Sequence, residues 1–535
     1  MLAPVLYMFA VYGRVVDAQS LWTLFWLTLL VIWSYVVLEF SEWARAETLR
    51  AESLVFEQSL SSRIFQAMIE LNRRNGTLGQ VQPMSDLRTL REFLYSPVLM
   101  SLFELPTIVV FLAILFLINP WVGLVAALIV AAQAALGMWT DRRTRPSLLE
   151  ANRVAIEAQQ YVDNSLRNAL AVESMGMLNR IRQRWDGRQQ EMLVLQADAS
   201  AHAAVSQSIS KFFQLSLASG LLGLSAWLLL IGELAGGAAM MIVASTLGGK
   251  ILAPIAQVMA QWRAVVNARD AYMRLENLLR SAPASPKTMS LPPPRGDVEV
   301  ESLTVVPPGA TEAVLRAINF RLEAGESVAV IGPSGSGKSS LLRALLGVWP
   351  ATMGKVRLSG VDVFLWNKNE LGPSLGYLPQ EIDLFDGTVA ENIVRFGQLD
   401  EAKLSAAIEA AGLAGVIGSL TNGVQTRVGA DGEFLSRGQQ QRVAIARAIY
   451  GDPRLVVLDE PNSSLDREGD AALARLVATM KDRSASVVLV THRKELLNIV
   501  DKILVLRDGV QLAYGPREEV LGALRKATEQ LRGAR

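Results

Sequence analysis

Five stretches of about twenty apolar residues decide what this chain can fold into: approximately Leu21 to Phe40, Ser96 to Ile118, Trp121 to Trp139, Phe212 to Ile231 and Gly236 to Met259. Roughly 20 apolar residues in a helix cross the hydrocarbon of a bilayer, and only a helix satisfies its own backbone there. All five stretches precede residue 260, and from Pro283 onward the sequence has the mixed character of a soluble domain. The expectation is a membrane bundle followed by a water-soluble half. A hydrophobic content of 51% and a mean hydropathy of +0.27 over 535 residues agree with a chain partly held in lipid. A sixth apolar stretch, Met1 to Val16, is too short to span alone and has no charged leader or cleavage site. It is expected to be a first helix that lacks its beginning.

Arginines set the orientation. Residues 42–91 carry Arg45, Arg50, Arg63, Arg73, Arg74 and Arg88, and residues 141–211 open with Arg142, Arg143 and Arg145. Both segments belong on the cytoplasmic side by the positive-inside rule. The breaks at Asn119-Pro120 and around residues 232–236 then face outward. The two basic segments are longer than loops need to be and have helical composition, so the membrane helices are expected to continue into the cytoplasm as stalks. The stretches near Asn72 to Arg91 and Leu166 to Arg180 are the candidates for contact with the soluble half. Glu104 and Lys250 are ionisable residues inside membrane helices, about 12 Å from their cytoplasmic ends at ~1.5 Å per residue. Such groups pair with one another or line a polar path. A net charge of +1 without a long basic block gives no reason to expect nucleic acid. The absence of cysteine excludes a disulfide framework, a thiol nucleophile and thiolate-bound zinc.

Prolines 283, 286, 292, 293 and 294 mark residues 281–295 as a linker between a domain at 1–280 and one at 296–535. Inside the second, the buried-strand pattern Ser327 to Ile331 runs into Gly332, Pro333, Ser334, Gly335, Ser336, Gly337, Lys338, Ser339 and Ser340, followed by a helical run. Small residues in that context let backbone N–H groups turn inward around phosphates at a helix N-terminus. Lys338 reaches the terminal phosphates and the Ser339 hydroxyl can ligate Mg²⁺. A second strand, Leu455 to Leu458, ends in Asp459 and Glu460. There Asp459 is placed to hold Mg²⁺ through water, and Glu460 to orient or deprotonate the attacking water.

Leu435-Ser436-Arg437-Gly438-Gln439, followed by Gln441-Arg442, resembles the signature loop of ABC ATPases. The resemblance orders the remaining motifs. Gln380 is similar to the family's glutamine that reaches Mg²⁺ and senses the membrane helices. Ser463 to Asp466 resembles its D-loop, and His492 its switch histidine at the terminal phosphate. It also implies that Ser436, Gly438 and Gln439 complete the ATP site of an opposite subunit, so that a chain with one cassette works as a homodimer. Two positions depart from the pattern. Arg437 stands where glycine is usual, and Val305-Val306-Pro307-Pro308 lies where many relatives place an aromatic ring against adenine.

The membrane half carries a resemblance of its own. Pro4 to Arg14, Arg167-Asn168 with Glu173 to Met177, and Leu252 to Ile255 with Gln261-Trp262-Arg263 are similar to the PrtD-type branch of type I secretion ABC transporters. This implies an α-helical bundle of six transmembrane helices with long stalks, fused to an α/β P-loop ATPase in the inner membrane of a Gram-negative bacterium. It further implies ATP with Mg²⁺ and export of an unfolded polypeptide bearing a C-terminal signal. The implied partners are a periplasmic membrane fusion protein and an outer-membrane channel. Export of lipid, drug or short peptide by the same machinery remains the alternative.

Overall fold

A computed structural model describes residues 3–75, 82–234, 236–282, 290–429, 432–462, 467–491 and 493–533. Two compact units make up the chain, Met1–Ile69 with Gly79–Pro283 and Glu70–Leu78 with Ala284–Arg535.

The first unit is helical throughout. Helix α1 (Ala3–Ala10) continues through a π-helical turn at Val11–Val15. It is followed by α2 (Leu21–Asn75), α3 (Gln82–Leu94), α4 (Pro97–Ile118), α5 (Pro120–Arg167), the short α6 (Ala169–Ser174), α7 (Leu178–Leu230), α8 (Gly237–Ile251), α9 (Ala253–Ala260) and α10 (Trp262–Ser281). Five of these segments are long and apolar enough to cross a membrane, and the shorter apolar Ala3–Val15 precedes them. The expected stalks are present: α2, α5 and α7 run for 55, 48 and 53 residues, well beyond what a bilayer requires.

Local chemistry explains the breaks. At the outward turn between α4 and α5, Asn119 Oδ1 accepts from Trp121 N at 2.9 Å while Pro120 fills the first helical position, where its missing N–H costs nothing. Asn119 Nδ2 donates to Glu233 O at 3.3 Å, which joins the two outward turns. The last apolar stretch, expected to run unbroken over 236–259, is interrupted at Leu252. Pro254 lies in the first turn of the restarted helix α9, the turn that tolerates proline. Along the contact of α5 with α7 the packing is partly polar. Gln133 Nε2 donates to Ser210 Oγ, Thr140 Oγ1 donates to Ser206 Oγ at 2.6 Å, and Ser147 Oγ donates to Asp198 Oδ2 at 3.0 Å. Glu104 and Lys250 are both half-buried, and among the described residues no ion pair joins them.

The second unit is built on a ten-stranded sheet: β1 (Val298–Val305), β2 (Leu315–Leu322), β3 (Ser327–Ile331), β4 (Met353–Leu358), β5 (Val361–Asp362), β6 (Leu375–Leu378), β7 (Leu455–Asp459), β8 (Ser486–Val490), β9 (Lys502–Arg507) and β10 (Val510–Pro516). The order is β5-β4-β1-β2-β10-β9-β3-β8-β7-β6. Strands β9, β3, β8, β7 and β6 are parallel, whereas β5, β4, β1 and β2 form an antiparallel flank. The parallel strands are apolar on both faces because helices cover both. Val328, Val330, Val457 and Val488 pack with Leu341, Leu342 and Leu345 of α11 (Lys338–Leu345). Ala329, Val456, Leu458 and Leu489 pack on the opposite face with Val443 and Ile445 of α13 (Arg437–Ile449), a face shared with α12 (Val389–Ile393) and α14 (Arg467–Asp482).

Candidate nucleotide site

The central strand β3 ends at Ile331, and the chain turns at Gly332 to Gly337 before α11 opens at Lys338. Left-handed backbone at Gly335 (φ +81°) and Gly337 (φ +94°) makes the turn possible. A Cβ on Gly337 would also lie 2.6 Å from Leu315 Cδ2 and 3.1 Å from Val314 O. Ser336 N donates to Pro333 O at 3.2 Å and the first helical bond is Leu341 N to Gly337 O. The amides of Lys338, Ser339 and Ser340 are therefore first-turn donors without an intrahelical acceptor.

The side chains of the loop converge on the same place. Lys338 Nζ donates to Gly332 O at 2.8 Å and to Pro333 O at 3.0 Å, and burial holds its pKa below the usual lysine range against the pull of Glu460 and Asp459. Ser336 is 2% exposed, and its Oγ has no hydrogen-bond partner among the described residues. Free first-turn amides, a lysine turned into the loop and an orphaned hydroxyl are the donor set of an anion cradle, and they fit the phosphates of a nucleotide.

Two carboxylates close the cradle. Asp459, the last residue of β7, is 5% exposed and its Oδ2 accepts from Ser339 Oγ at 3.3 Å. Burial pushes its pKa up, opposed by that hydrogen bond. Glu460 sits at φ +48°, a conformation uncommon outside glycine, with its N–H donating to Val490 O at 3.0 Å. The parallel pairing of β7 with β8 enforces this pose and turns the carboxylate toward Gln380, whose Nε2 donates to Glu460 Oε2 at 3.4 Å. Ser339 with Asp459 and Gln380 with Glu460 are thus hydrogen-bonded pairs, and Lys338 feels the charge of both acids.

The signature residues stand elsewhere. Ser436 caps α13: its Oγ accepts from Gln439 N at 3.4 Å and its N–H donates to Gln439 Oε1 at 2.8 Å. Arg437 is the exposed first residue of that helix, followed by Gly438. No hydrogen bond joins these residues to the phosphate loop among the described residues. Ser463 to Asp466 and His492 lie outside the described residues. Residues 305–308 carry no aromatic ring; Val305 O accepts from Val314 N at 2.9 Å, and Val314 O is a backbone atom that a Cβ on Gly337 would approach.

Sequence reasoning missed two residues that brace this site, Asn392 and Arg395, and quoted a third, Gln441, only as part of the signature run. Asn392 is fully buried and clamps the loop after Gln380 through Phe385 N (2.9 Å), Phe385 O (2.8 Å) and Thr388 O (3.1 Å). Arg395 donates to the carbonyls of Gly372 (3.0 Å), Arg447 (3.0 Å) and Ala448 (3.1 Å), and burial lowers its pKa. Gln441 donates to Pro461 O, which ties α13 to the residue after Glu460.

Comparison with known proteins agrees with this geometry. Residues 315–463 match the family model described as ABC transporter, and residues 55–250 match that of the ABC transporter transmembrane region. The type I secretion system ATP-binding protein PrsD of Rhizobium meliloti (strain 1021) is 38% identical over 518 residues, 96% of this chain and 89% of the relative. The toxin RTX-I translocation ATP-binding protein of Actinobacillus pleuropneumoniae is 25% identical over 86% of this chain and 66% of its own length. An ATP-dependent lipid A-core flippase of Burkholderia orbicola (strain AU 1054) is 38% identical, but over only 42% of this chain and 38% of its own length. A bacterial Atm1-family ABC exporter with ATP bound shares the fold, with a TM-score of 0.82 at 22% identity over 100% of this chain and 96% of that one. The protein is a multi-pass inner-membrane protein with its ATPase domain in the cytoplasm, where ATP hydrolysis is coupled to transport. Membrane helices, phosphate loop and paired carboxylates, together with a relative that aligns over both halves, place the chain in the family of ABC transporters that serve type I secretion systems.

Proposed function

We propose that this protein is the inner-membrane motor for export of an unfolded polypeptide with a C-terminal signal. It would work as a homodimer joined to a periplasmic membrane fusion protein and an outer-membrane channel. The observation that carries this reading is the extent of the likeness to a type I secretion protein, 96% of this chain, including the membrane half that meets the cargo. The lipid A-core flippase supports the alternative, a lipid, drug or short peptide cargo, over less than half of the chain.

In the proposed cycle Lys338 exchanges two backbone carbonyls for phosphate oxygens, which are stronger acceptors for a cation. Ser339, Asp459 and Gln380 are the residues that would hold Mg²⁺. Among the described residues no cluster of three or more His, Asp or Glu side chains is found, and one carboxylate plus phosphate oxygens is the usual Mg²⁺ arrangement. When bound, the ion would supply charge neutralisation for the phosphates. Glu460, held by Gln380, accepts the proton of the attacking water, and His492 is assigned to the terminal phosphate by its resemblance alone. Ser436, Gly438 and Gln439 complete the second copy's site.

The test is secretion of a protein with an intact C-terminal signal from cells that co-express the exporter, a fusion protein and an outer-membrane channel. Secretion lost both in Glu460→Gln and on deletion of the signal is the expected result. An assembled complex that hydrolyses ATP, secretes nothing and is stimulated by a lipid or short peptide would move the assignment to the alternative.

A further inference from the structure

The stalk helices carry charges that nucleotide chemistry does not use. Asp86 of α3 is 2% exposed, yet both of its carboxylate oxygens accept from the guanidinium of Arg274 on α10, from Nε at 2.9 Å and from Nη2 at 2.7 Å. Gln82 Nε2 also donates to Asp86 Oδ1, at 3.0 Å, and Asp270, one turn before Arg274, accepts from Arg274 Nη1. A second ion pair leaves the same helix: Arg91 Nη1 donates to Glu57 Oε2 of α2 at 2.7 Å, with both side chains partly exposed. One 13-residue helix thus holds both α2 and α10 through charge-assisted bonds.

Cohesion alone does not account for the buried pair. Taking a carboxylate and a guanidinium out of water is costly, and apolar side chains of the same volume would hold α3 to α10 at least as well. A two-pronged pair supplies something apolar contact lacks, a single register. Arg274 cannot slip along α3 without leaving Asp86 buried and unpaired. The position of the two helices in the chain gives that register a use. Helix α10 is the last element before the linker to the ATPase domain, and α3 leads through Ser96-Pro97 directly into membrane helix α4.

We propose that Asp86 and Arg274 are positioning residues for transport, a clamp that makes α3 move with α10. Displacement of α10 by the nucleotide cycle is thereby delivered to α4 and, through Arg91 and Glu57, to α2. The proposal goes beyond the secretion reading and does not depend on the cargo, but its measurement uses the homodimer proposed above.

The chain has no cysteine, so one spin label can be placed at Leu117→Cys, an 87% exposed position near the outer end of α4. The distance between the labels of two copies is measured in full-length Glu460→Gln exporter in nanodiscs, with and without ATP and Mg²⁺. We expect a nucleotide-dependent change of distance that falls at least threefold in Asp86→Asn and in Arg274→Gln, while nucleotide affinity stays within twofold. The exchanged pair Asp86→Arg with Arg274→Asp, which presents two acids on α10 to one arginine on α3, restores at least half of the change. If either single variant does not fold, Arg274→Lys, which keeps the charge and loses the fork, carries the test with an intermediate loss. A full change in the single variants, or an exchanged pair no better than the singles, overturns the clamp. No dipolar coupling between copies in the unclamped and parent proteins alike overturns the dimer and the proposal with it, and is recognised because the parent shows it too.

Discussion

Gly337 shows how little freedom the phosphate loop has. Its φ of +94° is strained for any side chain, and a Cβ there meets Leu315 and the Val314 carbonyl at the base of the cradle. Gly337→Ala is therefore expected to cost about 1–3 kcal/mol of stability and to abolish nucleotide binding. Thermal unfolding alongside binding of a fluorescent ATP analogue checks both effects. Glu460 gives a different signature. Its backbone is fixed by Val490, so Glu460→Gln keeps the geometry and removes only the base. Turnover should fall about 10²–10⁴-fold with nucleotide binding intact, measured by phosphate release against equilibrium binding. These residues were legible in the sequence because each motif is local, a strand followed within a few residues by its chemistry. Asn392 and Arg395 were not, because what they do is set by tertiary partners: Arg395 serves carbonyls at 372, 447 and 448, and no spacing rule connects them.

The element scale divides in the same way. Hydropathy located the membrane helices, and composition foretold their continuation as stalks, since both are properties of consecutive residues. The break at Leu252 was not legible, because Pro106 and Pro146 lie inside helices that continue while Pro254 coincides with a restart. Tertiary packing settles which prolines interrupt a helix. The same holds for the polar seam between α5 and α7. Residues 133, 140 and 147 repeat every seven positions, so they lie on one stripe of α5, and each meets a polar partner on α7. Thr140→Val and Ser206→Ala should each cost about 0.6 kcal/mol, the scale of a hydrogen bond between membrane helices. Because both substitutions remove one shared bond, the double variant should cost no more than the larger single. Denaturation of the four proteins in detergent closes the cycle, and simple additivity of the two costs would show that the seam is not a paired contact.

At the scale of the whole molecule, the proposed homodimer asks a single chain to present half of each composite site. Its phosphate loop and carboxylates converge, but Ser436 and Gln439 use their side chains to cap their own helix, and among the described residues no hydrogen bond joins them to that loop. A cation at a helix N-terminus is also electrostatically unfavourable, and Arg437 occupies that position. In the proposed dimer, an anion brought there by a second cassette would reverse the penalty. The proposed homodimer then makes a quantitative prediction about mixtures. Wild-type and Glu460→Gln subunits, unfolded from one another and reassembled at equal amounts, pair at random, so about a quarter of the dimers carry two intact sites and about half carry one. If closing and reopening require hydrolysis at both sites, transport should fall to about a quarter of the unmixed wild type. If each site works alone, it should fall only to about half, and the two sites would not be coupled in transport. Titrating the mixing ratio separates a squared from a linear dependence on the wild-type fraction, and the squared dependence is the expected result.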